Sequence, residues 1–120
     1  MRLAFLLLLA CAVGASAADL SGKWLGTWEG TTARGPVTES HFLDLQQKGS
    51  AITGTTGQEK GPLKWDVRNA KFESGKLTFD GATGDLQLGY DLQLTGDELV
   101  GTVVAKNRPG ITWKMRVRKQ

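Results

Sequence analysis

The chain has 120 residues, a net charge of +3 at pH 7, 16 glycines, one cysteine and one histidine. That length suits one domain, and so small a positive excess gives no ground for expecting nucleic acid. Cys11 and His41 are alone of their kinds, so no internal disulfide can form and no cysteine–histidine set for zinc exists.

Residues 1–18 have the build of a secretory signal peptide. Arg2 supplies a positive start, 3–13 is an apolar run, and Ala15-Ser16-Ala17-Ala18 offers small residues for cleavage after Ala17 or Ala18. The run is shorter than the roughly 20 residues of a membrane span, so the expectation is export, periplasmic or secreted, without a transmembrane segment. A minor alternative is lipid anchoring through Cys11, because Leu8-Leu9-Ala10-Cys11 resembles a bacterial lipobox. The domain is then 19–120. It carries 14 basic and 12 acidic residues and no cysteine, so its stability must come from a core.

Residues 20–32 place Trp24, Gly26, Trp28 and Gly30 on one face of a first strand, with glycine making room for large rings. Arg34-Gly35-Pro36 is a turn. In 37–47, Leu43 and Leu45 point inward, which puts Glu39 and His41 on the same face and Phe42 on the other. Residues 51–57 return the chain, and 58–62 form a polar loop. Leu63, Trp65 and Val67 alternate in a fourth strand, and Asn69-Ala70 is a candidate bulge because Phe72 falls out of phase. After Ser74-Gly75, Leu77 and Phe79 point in.

The clearest segment is 85–95, where Leu86, Leu88, Tyr90, Leu92 and Leu94 fall on every second residue. That is a strand with one apolar and one polar face, and no helical period collects these five. A turn at Gly96-Asp97-Glu98 leads to Leu99, Gly101, Val103 and Ala105. The last strand has Ile111, Trp113, Met115 and Val117 inward. About eight short strands joined by tight turns, with no amphipathic helix, predict an all-β, eight-stranded antiparallel up-and-down barrel, with a β-sandwich as the alternative.

Leu20-Ser21-Gly22-Lys23-Trp24 resembles the strand opening of the avidins, and Ile52-Thr53-Gly54-Thr55-Thr56 resembles their third strand. Leu25-Gly26-Thr27-Trp28-Glu29-Gly30 is similar to the opening of nitrobindin-like and fatty-acid-binding-like barrels. With the repeated Ile52-Thr53-Gly54-Thr55 and Leu99-Val100-Gly101-Thr102, the overall likeness is to small exported bacterial calycin-like (avidin- and lipocalin-like) domains. That resemblance implies an eight-stranded calycin-type barrel. It does not extend to biotin, since Thr56 stands where the avidins have tyrosine, nor to haem, since the final strands hold no histidine.

Two sets of residues stand out as sites. Trp24, Trp28, Trp65, Tyr90 and Trp113 share an inward phase and could wall a pocket for a small apolar or aromatic ligand, with His41 as its polar contact. The simpler reading is that the rings, with Phe79, only fill the barrel, each worth roughly 2–3 kcal/mol of burial. Arg108, Lys114, Arg116 and Arg118 make the C-terminal region basic and could bind an anionic surface or a protein partner. The simpler reading there is a solvated face paired with neighbouring acids. Ser21, Ser40, Ser50 and Ser74 lack a nucleophile setting, and Asp66, Asp80 and Asp91 alternate outward. No enzyme and no cofactor is expected. The expected function is an exported, non-enzymatic binding barrel, the alternative an interaction module with a solid core.

Overall fold

The computed structural model describes residues 19–32 and 34–120; the expected signal peptide and Cys11 lie outside them. Eight strands follow one another: β1 (Gly22–Thr32), β2 (Gly35–Lys48), β3 (Ala51–Gln58), β4 (Lys64–Glu73), β5 (Lys76–Thr83), β6 (Leu86–Thr95), β7 (Glu98–Ala105) and β8 (Thr112–Lys119). Each pairs antiparallel with the next, and β8 returns to β1 from Trp24↔Lys119 to Glu29↔Lys114, so the sheet is a closed barrel rather than a sandwich. Closure leaves no strand edge open along the shared ladder.

Turn chemistry explains the meander. Two residues join β4 to β5, and both Ser74 (φ 53°) and Gly75 (φ 79°) are left-handed, the geometry that matches strand twist. Gly49, Gly84 and Gly96 place the same left-handed bend in the other short hairpins. Only two connections are longer, 59–63 between β3 and β4 and 106–111 between β7 and β8. Both lie at the same end of the barrel, with the β1–β2 and β5–β6 turns.

The core is the inward phase of the strands. Trp24, Leu43, Leu45, Leu77, Leu88, Leu92, Leu99, Val103, Met115 and Val117 are all buried. The bulge expected in β4 is present: pairing with β5 slips between Arg68 and Lys71, and Asn69 takes φ 53°. The slip moves the inward phase from Trp65 and Val67 to Ala70 and Phe72, which pack on the core. Phe42 points outward as expected but is buried, between Leu25 and Gly57 on adjacent strands and beneath the Lys64 ammonium, 5.8 Å from its ring.

Three sequence expectations are corrected. Ile111 does not face inward; it sits in the loop before β8, 39 % exposed, because its carbonyl turns back to accept from the Ala105 amide at 3.1 Å. Leu63 likewise precedes β4 and is half exposed, its carbonyl accepting from Gln58 N at 2.8 Å. Leu20 is not part of the first strand. It folds beneath the barrel and is buried. Its amide donates to Gln47 Oε1 at 2.8 Å, its carbonyl accepts from Trp24 Nε1 at 3.0 Å, and Ser21 Oγ accepts from the Gln47 amide at 2.8 Å.

The 19–21 segment therefore plugs the end opposite the long loops. Leu20→Ala should cost about 3 kcal/mol, as for a buried leucine with little room to collapse, lowering the thermal midpoint on the order of 15 °C. Circular dichroism melting checks this; a fall of only a degree or two would mean that the plug adds nothing to the core.

Candidate functional site

The end with the two long loops is built differently. Trp28 from β1, His41 from β2, Trp65 from β4 and Trp113 from β8 converge there and line a cavity of about 200 Å³ together with Leu63, Leu86, Leu88, Thr83, Gln58 and Glu39. Trp28 is the hub. His41 stacks on it with centroids 4.4 Å apart and planes at 24°, Trp113 lies at 4.9 Å, and Trp65 meets it edge-on at 6.4 Å.

Glycine makes these rings possible. A Cβ on Gly30 would run into the Trp113 indole, and one on Gly81 would lie 2.7 Å from Trp65 Cδ1. The Trp-x-Gly spacing of β1 announces the first of these; Gly81, on the strand after that of Trp65, carries no such signal.

Trp65 is held from the other side as well. Its Nε1 donates to the Tyr90 hydroxyl at 3.0 Å, and Tyr90 in turn stacks on Phe79 at 4.1 Å. Tyr90 is buried, and burial pushes its phenol pKa up, so it remains a neutral hydroxyl. Its oxygen is engaged inside the protein with Trp65 and Thr56, so Tyr90 positions an indole rather than facing the cavity.

Trp24 is elsewhere. It belongs to the plug at the far end, bonded to Leu20 O and with the Lys119 ammonium 5.8 Å from its ring. An inward phase on β1 is shared by Trp24 and Trp28, but four residues of strand carry them to opposite ends of the lumen. Of the six residues singled out as a ligand site, the structure thus brings together Trp28, His41, Trp65 and Trp113, puts Tyr90 behind them, and removes Trp24.

His41 is the unusual member. It is 1 % exposed, and neither ring nitrogen has a hydrogen-bond partner; among the described residues these are the only buried side-chain nitrogen or oxygen atoms in that state. Glu39, on the same face, is exposed at the mouth and makes no bond to it. Burial alone draws the imidazole pKa down to about 4, so it is neutral at pH 7. A neutral imidazole offers one N–H and one bare nitrogen, and leaving such atoms unmet inside a protein costs about 1–3 kcal/mol.

The rim is fixed. Glu59 N donates to Ser40 O at 3.1 Å and Leu63 N to Gln58 Oε1 at 3.3 Å, which pins the 59–63 loop. Across the mouth, Asn107 accepts from Gln87 N at 2.9 Å and donates to Asp85 O at 2.6 Å, tying the 106–111 loop to the β5–β6 turn. Sequence reading treated the 58–62 segment only as a polar loop and missed Gln58 and Thr83. The one available signal is that its length departs from the two-residue turns elsewhere. A larger depression, about 340 Å³, lies on the outer wall against Thr27, Gly101 and Met115, but holds no aromatic ring and no buried polar side chain.

Three of the four basic residues singled out above are ion-paired. Arg108 pairs with Asp85 at 3.0 Å, Arg116 with Glu98 at 3.0 Å, and Arg118 with Glu98 at 3.4 Å and Asp97 at 3.8 Å. Asp80 and Asp91 are likewise outside, paired with Lys106 at 2.6 Å and Lys76 at 3.6 Å. Lys114 stands opposite Glu29 without an ion pair among the described residues. Exposed pairs of this kind contribute about 0–1 kcal/mol each.

His41 makes stability depend on pH in a defined direction. Its folded pKa lies below the unfolded value of about 6.5, so between roughly 4 and 6.5 the unfolded chain binds the extra proton, and stability falls as pH falls through that window. Urea unfolding should lose about 2 kcal/mol between pH 6.5 and pH 5. His41→Phe should abolish that loss and gain about 1–2 kcal/mol at pH 7 by removing the unmet nitrogens, the adjacent cavity accepting the larger ring. A variant with unchanged pH dependence would show that His41 is solvated or bonded in solution.

No family model matches the chain, and no curated protein is significantly similar to it.

Proposed function

We propose that the protein is a non-enzymatic binding barrel, acting after export, that holds one small apolar or aromatic molecule in the cavity at its open end. The observation that carries this reading is the unpartnered imidazole of His41 inside an aromatic cavity. A core residue selected only for packing would be a phenylalanine or leucine, which fills the same place without unmet nitrogens. A buried polar atom that no protein group bonds calls for a partner from outside the protein.

The rest of the site agrees with such a use. Walls are indole and leucine, the polar groups are few, and both rim loops are tied, so little ordering is needed when a ligand enters. With the far end plugged, the entrance lies at the end where Glu39, Gln58, Leu63, Thr83 and Leu86 line the cavity. No nucleophile–base pair or facing pair of carboxylates accompanies His41 among the residues that line the cavity, which favours binding over catalysis. The other reading, an interaction module using its basic last strand, has less behind it, because Arg108, Arg116 and Arg118 are already engaged by Asp85, Asp97 and Glu98.

Three of the four tryptophans of the chain surround the cavity, so binding should be visible in their emission. A panel of one-ring aromatic and short aliphatic molecules should quench or shift fluorescence saturably. Trp28→Phe should weaken that response about tenfold, while Trp24→Phe, at the other end, leaves it intact. If the whole panel gives no saturable change, or both substitutions act alike, the binding reading fails. Glu98→Gln, which frees Arg116 and Arg118, should change stability by less than about 1 kcal/mol and leave the response unchanged.

A further inference from the structure

The aromatic cavity has a neighbour. A second depression of about 240 Å³ is lined by Glu39, Ser40, Gln58, Lys60 and Gly61. Glu39 and Gln58 also line the cavity, so the two adjoin along those residues, and both are open to solvent.

The backbone holds this groove in shape. Gln58 N donates to Leu63 O at 2.8 Å, and Glu59 N to Ser40 O at 3.1 Å. A Cβ on Gly61 would run into Gln58 Oε1, so glycine lets the Gln58 side chain lie against the loop. Gln58 Oε1 accepts from Leu63 N at 3.3 Å, which leaves Nε2 as its open donor.

Two opposite charges line the groove. Glu39 brings a carboxylate and Lys60 an ammonium, and neither forms an ion pair among the described residues. An acid and a base that share a depression without meeting leave room between them for a group that carries both charges. Both side chains are exposed, so a charged head resting on them keeps much of its water. The same head pushed in among the indoles would lose it.

Size fits a ligand in two parts. An engineered cavity of roughly 150 Å³ takes benzene, so about 200 Å³ holds one six-membered ring, and the groove takes what projects from it.

Resting on the binding reading above, we propose that the ligand is a free α-amino acid with a one-ring aromatic side chain. Its ring packs among Trp28, Trp65 and Trp113, its ammonium meets Glu39, and its carboxylate meets Lys60 and Gln58 Nε2. A ligand with one charge finds one partner here and one repeller; the zwitterion finds two partners.

The test compares L-phenylalanine, phenethylamine, 3-phenylpropionate and 3-phenyl-1-propanol at about pH 7, read by tryptophan emission. All four carry the same ring on a short arm and differ in charge. L-Phenylalanine should bind about tenfold more tightly than the alcohol and at least about threefold more tightly than either singly charged analogue. Molar salt should remove most of that advantage. Lys60→Gln should weaken L-phenylalanine yet strengthen phenethylamine. Glu39→Gln should weaken L-phenylalanine yet strengthen 3-phenylpropionate. Opposite signs within one variant cannot come from damage to the fold. Lys114→Gln should change none of the four.

If the alcohol binds as tightly as L-phenylalanine, or the Lys60 and Glu39 variants leave the order unchanged, the amino-acid head is wrong while the binding reading stands. If Lys114→Gln weakens L-phenylalanine and Lys60→Gln does not, the head lies instead in the depression on the other side of Trp113, lined by Glu29 and Lys114, and the proposed groove is overturned. If none of the four disturbs the tryptophan emission, the binding reading itself falls, and this inference with it.

Discussion

The pairing of β1 with β8 is the contact on which the site depends. Glu29↔Lys114 and Trp28↔Met115 lie side by side at one end of that ladder, and Trp24↔Lys119 at the other. Without this closure Trp28 and Trp113, on the first and last strands, would lie on distant edges of an open sheet. With it they stand 4.9 Å apart, and the lumen has two ends that the sequence can furnish differently. Close backbone approach sustains the closure, where a Cβ at Gly26 would overlap the Arg116 carbonyl, and recurs between β6 and β7, where one at Gly101 would overlap the Asp91 carbonyl. These glycines are requirements of the barrel wall, not of its turns.

The division of the lumen follows from chain economy in the turns. Short hairpins and the buried Leu20 close one end around Trp24. The other end receives both long loops, and the aromatic residues nearest to it come from β1, β2, β4 and β8. Rings of this size stack and tilt around Trp28 but do not interlock as aliphatic side chains do, and a void remains. An aromatic void costs little in unmet polar groups; a buried imidazole that no protein group bonds costs more. The pairing of these two features is the physical reason to see a binding site here rather than an imperfect core.

Much of the fold was legible because period-two alternation is a strong signal once turns are marked. Leu86 to Leu94, Leu99 to Ala105 and the bulge near Asn69 were all readable from the chain. Alternation tells which face a residue takes but not how far along the lumen it sits, so Trp24 and Trp28 looked equivalent and are not. It also fails at strand ends, where the backbone has already turned: Ile111 keeps the phase yet is exposed in the loop before β8, and Leu63 sits half exposed at the rim of the cavity. Leu20 escaped for a related reason, since no periodicity announces a residue that folds under the barrel. The ion pairs of the basic C-terminal run were not readable, because Asp85, Asp97 and Glu98 lie on neighbouring strands and turns rather than nearby in sequence. Burial of His41 could be inferred; the lack of any partner for it could not, because that depends on four strands at once.

The central claim is that the aromatic cavity at the open end exists to be filled. Native mass spectrometry of the protein, purified gently from the cells that make it, tests this most directly. The account predicts a reproducible, non-covalent added mass of one small ring, lost on denaturation and lost when His41 and Trp28 are replaced by Leu and Ala. A bare protein that stays bare after equilibration with the small-molecule extract of those cells would contradict it, and would make the tryptophans and His41 no more than an imperfectly packed end of the core.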